Sequence, residues 1–231
     1  MPRPGHANKV YEMNRLAIFD CDGTIIDSQA TICTAIEQGF FACGVTPPGA
    51  EASRSIIGLS VVQAMAALHP AGSPDDHEAL ATAYKASFAG LRAQGLAEEP
   101  LYDGIVDAIE ALEARGWLLG VATGKSDRGL THVLQKHGLH PRFVTLQTAD
   151  RHPSKPHPSM LWQAMTEAGA TPETTAMIGD TSYDMEMAKA AGVAAIGVAW
   201  GYHSADILRE SGADAVAEHA SELVAMLDAL P

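Results

Sequence analysis

Apolar residues run unbroken over Leu16-Ala17-Ile18-Phe19 and stop at Asp20-Cys21-Asp22-Gly23-Thr24. A short run of this kind predicts a strand buried on both faces and central in a parallel sheet. After Thr24 the period lengthens. Residues 30–44 have helical apolar spacing ending on a glycine, with Asp27 and Ser28 offering N-cap chemistry at their start. Further helical stretches cover 50–57, 61–68 and 75–94, separated by turn residues at Pro47-Pro48-Gly49, Gly58 and Pro70-Ala71-Gly72-Ser73-Pro74. Residues 27–97 thus read as a short helical bundle without a strand.

From Tyr102 onward helices and strands alternate. Helices over 104–114, 126–137, 158–168 and 182–191 precede strands over 117–123, 143–148, 175–179 and 194–199, and short segments over 206–211, 213–217 and 221–230 close the chain. This alternation predicts an α/β fold, a doubly wound parallel sheet with right-handed crossovers. Its first strand lies before the helical bundle and its continuation lies after it. The expected layout is a Rossmann-like core from residues 1–26 and 98–231 with a helical cap, 27–97, spliced into it. Residues 1–14 are expected to be a loose tail, with Met13 an alternative start.

Composition narrows the function classes. A net charge of −13 argues against sequence-independent binding to nucleic acid or an anionic membrane, which wants clustered Lys and Arg. An anionic small substrate is still allowed, because one local cation and helix N-termini can dominate a pocket. Cys21, Cys33 and Cys43 are unevenly spaced and form no CxxC pair, which fits reduced thiols and a cytoplasmic protein. No apolar run has the length of a membrane span, and no charged-then-apolar leader precedes the first strand. Nothing in the pattern sets an oligomeric state.

In doubly wound sheets ligands bind outside the carboxyl ends of the strands. Polar chemistry recurs there: Asp20 and Asp22, then Thr123-Gly124-Lys125-Ser126, then Ser154-Lys155-Pro156-His157-Pro158, then Gly179-Asp180-Thr181-Ser182-Tyr183-Asp184. The set suits phosphoryl transfer. One aspartate can attack phosphorus, and a second carboxyl can protonate the leaving oxygen and later activate water. The Thr123 hydroxyl, the Gly124 N–H and the Lys155 ammonium are donors for phosphoryl oxygens. Magnesium takes few carboxylates along with water and phosphate, and Asp20 and Asp180 could supply them. Asp184, one helical turn beyond Asp180, could hold a water or Lys155 in place.

These motifs resemble those of the haloacid dehalogenase superfamily of hydrolases, in order and across essentially the whole chain: Asp20-x-Asp22-Gly23-Thr24, Thr123, Lys155, and Gly179-Asp180-xxx-Asp184, with a helical insertion between the first two. The resemblance implies that Asp20 is nucleophile and magnesium ligand. It implies that Asp22 is general acid/base and binds the metal through its carbonyl oxygen, and that Thr123 and Lys155 hold phosphate while Asp180 ligates magnesium. Dehalogenating members lack an acid at the Asp22 position, so Asp22 points to a phosphatase. Asp27-Ser28 and Ser154-Lys155-Pro156-His157-Pro158 are most similar to phosphoglycolate-phosphatase-like proteins, in which asparagine often stands at the Gly124 position. The implied activity is magnesium-dependent hydrolysis of small phosphorylated metabolites through an aspartyl-phosphate, with phosphoglycolate the substrate the resemblance names first.

Blander readings stand beside these. Gly120 to Ser126 resembles the tail of a nucleotide-binding loop, but three residues rather than four separate its glycines and the first falls inside an apolar strand. Lys125 then reads as an exposed residue at a helix start, and Glu98-Glu99 as the solvated return from the cap. Arg54 is open between a surface arginine and a cap group for a substrate carboxylate. Cys21, Met185 and Met187 read as packing residues, and His157 and His203 as loop residues. Two other functions share the core: a phosphomutase acting on a sugar phosphate, and a non-catalytic regulator that binds a phospho-ligand. Loss of Asp22 or Asp180 would have favoured the regulator, and both are present.

Overall fold

The computed structural model describes residues 13–230. The loose tail expected at the N-terminus falls on residues 1–12, which lie outside the described residues, except at its end. There Asn14 already opens the first strand, and its side-chain amide donates to the Ala168 carbonyl at 2.8 Å.

The strands are β1 (Asn14–Phe19), β2 (Trp117–Thr123), β3 (Thr145–Thr148), β4 (Ala170–Gly179), β5 (Ala194–Val198) and β6 (Ala215–Ala217). They form one parallel sheet in the order β3-β2-β1-β4-β5-β6. The unbroken apolar run is explained by this order: β1 lies between β2 and β4, and its alternate residues face two separate cores. Ala17 and Phe19 pack with Ile109, Val121, Val133 and Ile178, whereas Leu16 and Ile18 pack with Met160, Leu161, Met177 and Met185. Helices α5 (Ile105–Ala114), α6 (Asp127–Lys136) and α10 (Leu223–Asp228) cover the first face. Helices α7 (Ser159–Ala168), α8 (Ser182–Ala191) and α9 (Ala205–Glu210) cover the second. No helix among the described residues is long and apolar enough to cross a membrane.

Strand order reverses at β1, because the chain builds outward through β2 and β3 on one side and through β4 to β6 on the other. That switch point opens a crevice at the carboxyl ends of β1, β2 and β4. β4 starts earlier than its apolar run suggests. Asn14 pairs with Ala170 but Leu16 pairs with Thr175, so the extra residues bulge. Hydroxyl bonds from Thr175 to the Thr171 carbonyl (2.7 Å) and from Thr174 to the Asn14 carbonyl (2.8 Å) hold the bulge, a polar arrangement that alternation does not signal. β3 is shorter than expected, since a 3-10 turn at His140–Arg142 precedes it.

Residues between β1 and α5 form α1 (Gln29–Ala42), α2 (Ala50–Ser55), α3 (Val61–Leu68) and α4 (Pro74–Ala93). These helices share an apolar cluster containing Ile32, Ile36, Phe40, Ile57, Met65 and Leu80. Ser73 and Asp76 make a reciprocal capping box at the start of α4, with Pro74 at the first helical position. Gly39 lets α1 and α4 meet closely, since a Cβ there would lie 2.9 Å from the Tyr84 nitrogen. Tyr202, from the loop after β5, joins the same cluster and ties the insert to the sheet.

Gly39→Val puts a branched side chain into that backbone contact. It is expected to lower the unfolding free energy by about 1–3 kcal/mol in urea titration, the usual cost of overpacking.

Candidate active site

The ladder of β1 continues one step past the strand, where the Asp20 N–H donates to the Ile178 carbonyl at 2.8 Å. The chain then turns at Gly23, whose φ of +85° suits glycine and where a Cβ would overlap the Asp180 carboxylate. Cys21 turns into the core beside Phe19, which leaves Asp20 and Asp22 in different surroundings.

Asp20 is fully buried. Its Oδ1 accepts the Cys21 N–H at 2.6 Å and the Lys155 ammonium at 2.9 Å, while Oδ2 is buried without a hydrogen-bond partner. Lys155 also donates to Asp184 Oδ1 at 2.7 Å. Asp184 Oδ2 is taken by the Thr181 N–H (3.0 Å) and hydroxyl (2.7 Å), which makes the cap of α8 a clamp on the same carboxylate. Asp180 accepts the Thr24 hydroxyl and the Tyr202 N–H, each at 2.9 Å. Carboxylate oxygens of Asp20, Asp180 and Asp184 all lie within 4.8 Å of one another.

Two of these buried acids, Asp20 and Asp184, therefore share one lysine, and Asp180 lies beside them. Burial pushes the Asp20 carboxyl up to about 7 against the pull of Lys155, with Asp184 and Asp22 adding to the rise. Burial and the Asp20 and Asp184 charges push Asp180 well above the usual carboxylate range. Lys155 is the one cation paired with these acids among the described residues, and Asp20 Oδ2 makes no hydrogen bond. Close carboxylates with an unused buried oxygen fit a hard divalent cation.

Asp22 faces outward from this cluster. Its Oδ1 accepts the Ser28 hydroxyl and lies 2.9 Å from Lys125 Nζ. Ser28 therefore makes no side-chain cap on α1, because its hydroxyl is engaged by the carboxylate; Asp27 instead accepts the Gln29 N–H at 3.1 Å. Lys125 is not the exposed residue its position at a helix start suggests. Its ammonium also reaches Glu99 at 3.4 Å and sits 5.6 Å from the Phe88 ring centre. Burial works against its charge, yet Asp22 and Glu99 raise its pKa. Glu99 is buried rather than solvated: Arg92 of α4 grips both its oxygens at 3.1 Å, and Lys125 and Arg92 together hold its pKa down against burial. No local pattern announces this chain of ion pairs; an acid next to a cap boundary and a lysine after Thr123-Gly124 were its only traces.

Thr123, buried at the end of β2, accepts the Lys125 N–H at 3.2 Å. The insert closes over this corner. A Cβ on Gly124 would lie 2.5 Å from the Leu59 carbonyl oxygen and 2.7 Å from that of Gly58, so glycine permits the approach. The Ser60 N–H donates to the Ser154 hydroxyl at 2.8 Å, and the Tyr183 hydroxyl donates to the Ser55 carbonyl at 3.1 Å. Arg54 spends its guanidinium on the Tyr202 carbonyl, at 2.9 and 2.7 Å, and does not line the cavity beneath the insert. His203 braces the same edge by accepting the Ser182 N–H at 3.1 Å.

The model of the family described as haloacid dehalogenase-like hydrolase matches residues 17–198, from β1 through β5. The chain belongs to this family. It is 36% identical over 222 residues to the probable phosphatase IndB of Dickeya dadantii, covering 94% of this chain and 95% of that protein. It is 32% identical over 192 residues to a phosphoglycolate phosphatase of Pseudomonas putida, covering 82% of this chain and 71% of that one. A predicted phosphatase from Clostridium acetobutylicum superposes with a TM-score of 0.83 at 22% identity, covering 94% of this chain and 99% of the other, which shows the shared fold. The chain is an enzyme of the phosphoric monoester hydrolase class.

Because the Asp20 pKa is raised in the fold to about 7 from 3.8, the folded state holds a proton there that the unfolded chain releases. Its contribution to stability is therefore lost as pH rises from about 4 towards 7. In thermal melts without metal, the Tm of the wild type relative to Asp20→Asn is expected to fall across that window.

Proposed function

We propose that this hydrolase removes phosphate from small phosphorylated metabolites through a phospho-Asp20 intermediate. The reading rests on one observation: two carboxylates two residues apart meet different surroundings. Asp20 sits among Lys155, Asp180 and Asp184 with one oxygen free, whereas Asp22 faces the cavity with Ser28 and Lys125 beside it.

In the first step an Asp20 oxygen attacks phosphorus. The ester P–O bond breaks, and its electron pair leaves with the alcohol oxygen, which takes a proton from Asp22. In the second, Asp22 takes a proton from water as the water oxygen attacks phosphorus. The bond to Asp20 breaks, inorganic phosphate departs, and both aspartates return to their starting states. Lys155, the Thr123 hydroxyl and the Gly124 N–H hold phosphoryl oxygens, and Asp184 keeps Lys155 oriented. Asp20, Asp180 and the Asp22 carbonyl would hold magnesium, which when bound neutralises part of the charge of the phosphoryl group. Residues 27–97 act as a cap that shuts out bulk water. Phosphoglycolate, the substrate class named by the Pseudomonas putida relative, is the first compound to assay.

With magnesium, release of inorganic phosphate is expected to stop on adding EDTA and to fall at least about a thousandfold in Asp20→Asn. Metal-independent turnover, or an unimpaired Asp20→Asn, would sink the mechanism. Asp22→Asn is expected to lose roughly 10²–10⁴-fold in turnover. With 4-nitrophenyl phosphate, whose leaving group departs without a proton, that variant should show a burst of nitrophenol followed by slow phosphate release. Turnover of this ester at the wild-type rate, without a burst, would place Asp22 outside the second step.

A further inference from the structure

Between the closed insert and the sheet lies a cavity of about 560 Å³. Asp22, Gly124 and Lys125 form its inner end, and its walls come from the insert, including Ile36, Ile57 and Met65, with Phe88 of α4 beside Lys125. On the reading given above, Asp22 protonates the departing oxygen. The space beyond Asp22 is thus the leaving group's space, and its chemistry describes the alcohol that the enzyme releases.

That space does not suit a two-carbon acid. Clefts of about 300–1,000 Å³ hold ligands of drug size. Glycolate would occupy only the inner end and leave water against hydrocarbon over the rest. Its carboxylate would also need a cation, and of those lining the cavity Lys125 is already paired with Asp22 and Glu99, while Arg92 is paired with Glu99 through one nitrogen and its Nε makes no hydrogen bond. Two cations that line the cavity, Lys85 and Arg128, make no ion pair among the described residues, but both are exposed. On a chain of net charge −13 they favour entry of an anion without reaching the depth of Asp22.

We infer that the physiological substrate class is phosphomonoesters of bulky, ring-bearing alcohols, whose apolar body fills the cavity beyond Asp22 and Lys125 against the apolar residues of the insert. This deepens the reading of Asp20 and Asp22 and rests on it. The insert then recognises hydrocarbon surface, and the closed position of residues 57–60 over Gly124 leaves the phosphate at the sheet and the ring beneath the helices.

The test uses the full chain with magnesium and compares kcat/KM for phosphoglycolate, benzyl phosphate and naphthylmethyl phosphate, whose leaving alcohols are all unactivated. Naphthylmethyl phosphate is expected to exceed phosphoglycolate by roughly tenfold or more, the scale of a few buried methylenes. Ala89, an exposed position of α4 that lines the cavity, allows a second measurement. Ala89→Trp, checked by its melting curve, should lower the ratio of naphthylmethyl phosphate to phosphoglycolate roughly tenfold by filling the space. A wild-type preference for phosphoglycolate, or a ratio that Ala89→Trp does not move, would overturn the inference while leaving the hydrolytic mechanism intact. Absence of phosphate release from every ester would remove the inference together with the roles of Asp20 and Asp22.

Discussion

The site depends on Lys155, a fully buried ammonium held between Asp20 and Asp184. A lone buried cation would cost several kcal/mol, and two carboxylates from different segments compensate it. Asp20 leaves β1, Lys155 follows β3, and Asp184 opens α8 after β4, so one ammonium fixes the relative positions of three chain segments. The compensation overshoots. With Asp180 alongside, the carboxyl groups outnumber the ammonium, and Asp20 keeps an unpartnered oxygen in a cluster that would draw a cation.

Asp22 escapes that charge cluster although only Cys21 separates it from Asp20. Gly23 turns the chain at once, Cys21 fills the core, and Asp22 comes to rest on Lys125 and Ser28. Through Lys125 and Glu99 it connects to Arg92 on α4. Asp22 is thus coupled to the insert, whereas Asp20 is coupled to the sheet.

Much of the fold was legible because it rests on local pattern. The run at Leu16–Phe19 placed β1 in the middle of the sheet, since only a strand covered on both faces tolerates four consecutive apolar residues. The alternation after Tyr102 gave the parallel sheet, and strand exits located Asp20, Asp22, Thr123, Lys155 and Asp180 at one end of it. The bulge at the start of β4 was hidden because threonine hydroxyls, not hydrophobic period, stabilise it.

Lys125, Glu99, Ser28 and Arg54 show the other side. By their neighbours they read as a surface lysine, a solvated acid, a helix cap, and an arginine open between the surface and a substrate carboxylate. Lys125 and Glu99 meet across 26 positions, and Arg54 reaches a carbonyl 148 positions away. The periodicity of a strand or helix is decided by each residue's own burial, so the chain alone determined the elements, the sheet and the end that carries the chemistry. An ion pair or a cavity is decided by how close distant segments come. Only the tertiary structure set which carboxylate joins Lys155, Asp180 and Asp184, which faces the cavity, and how large that cavity is.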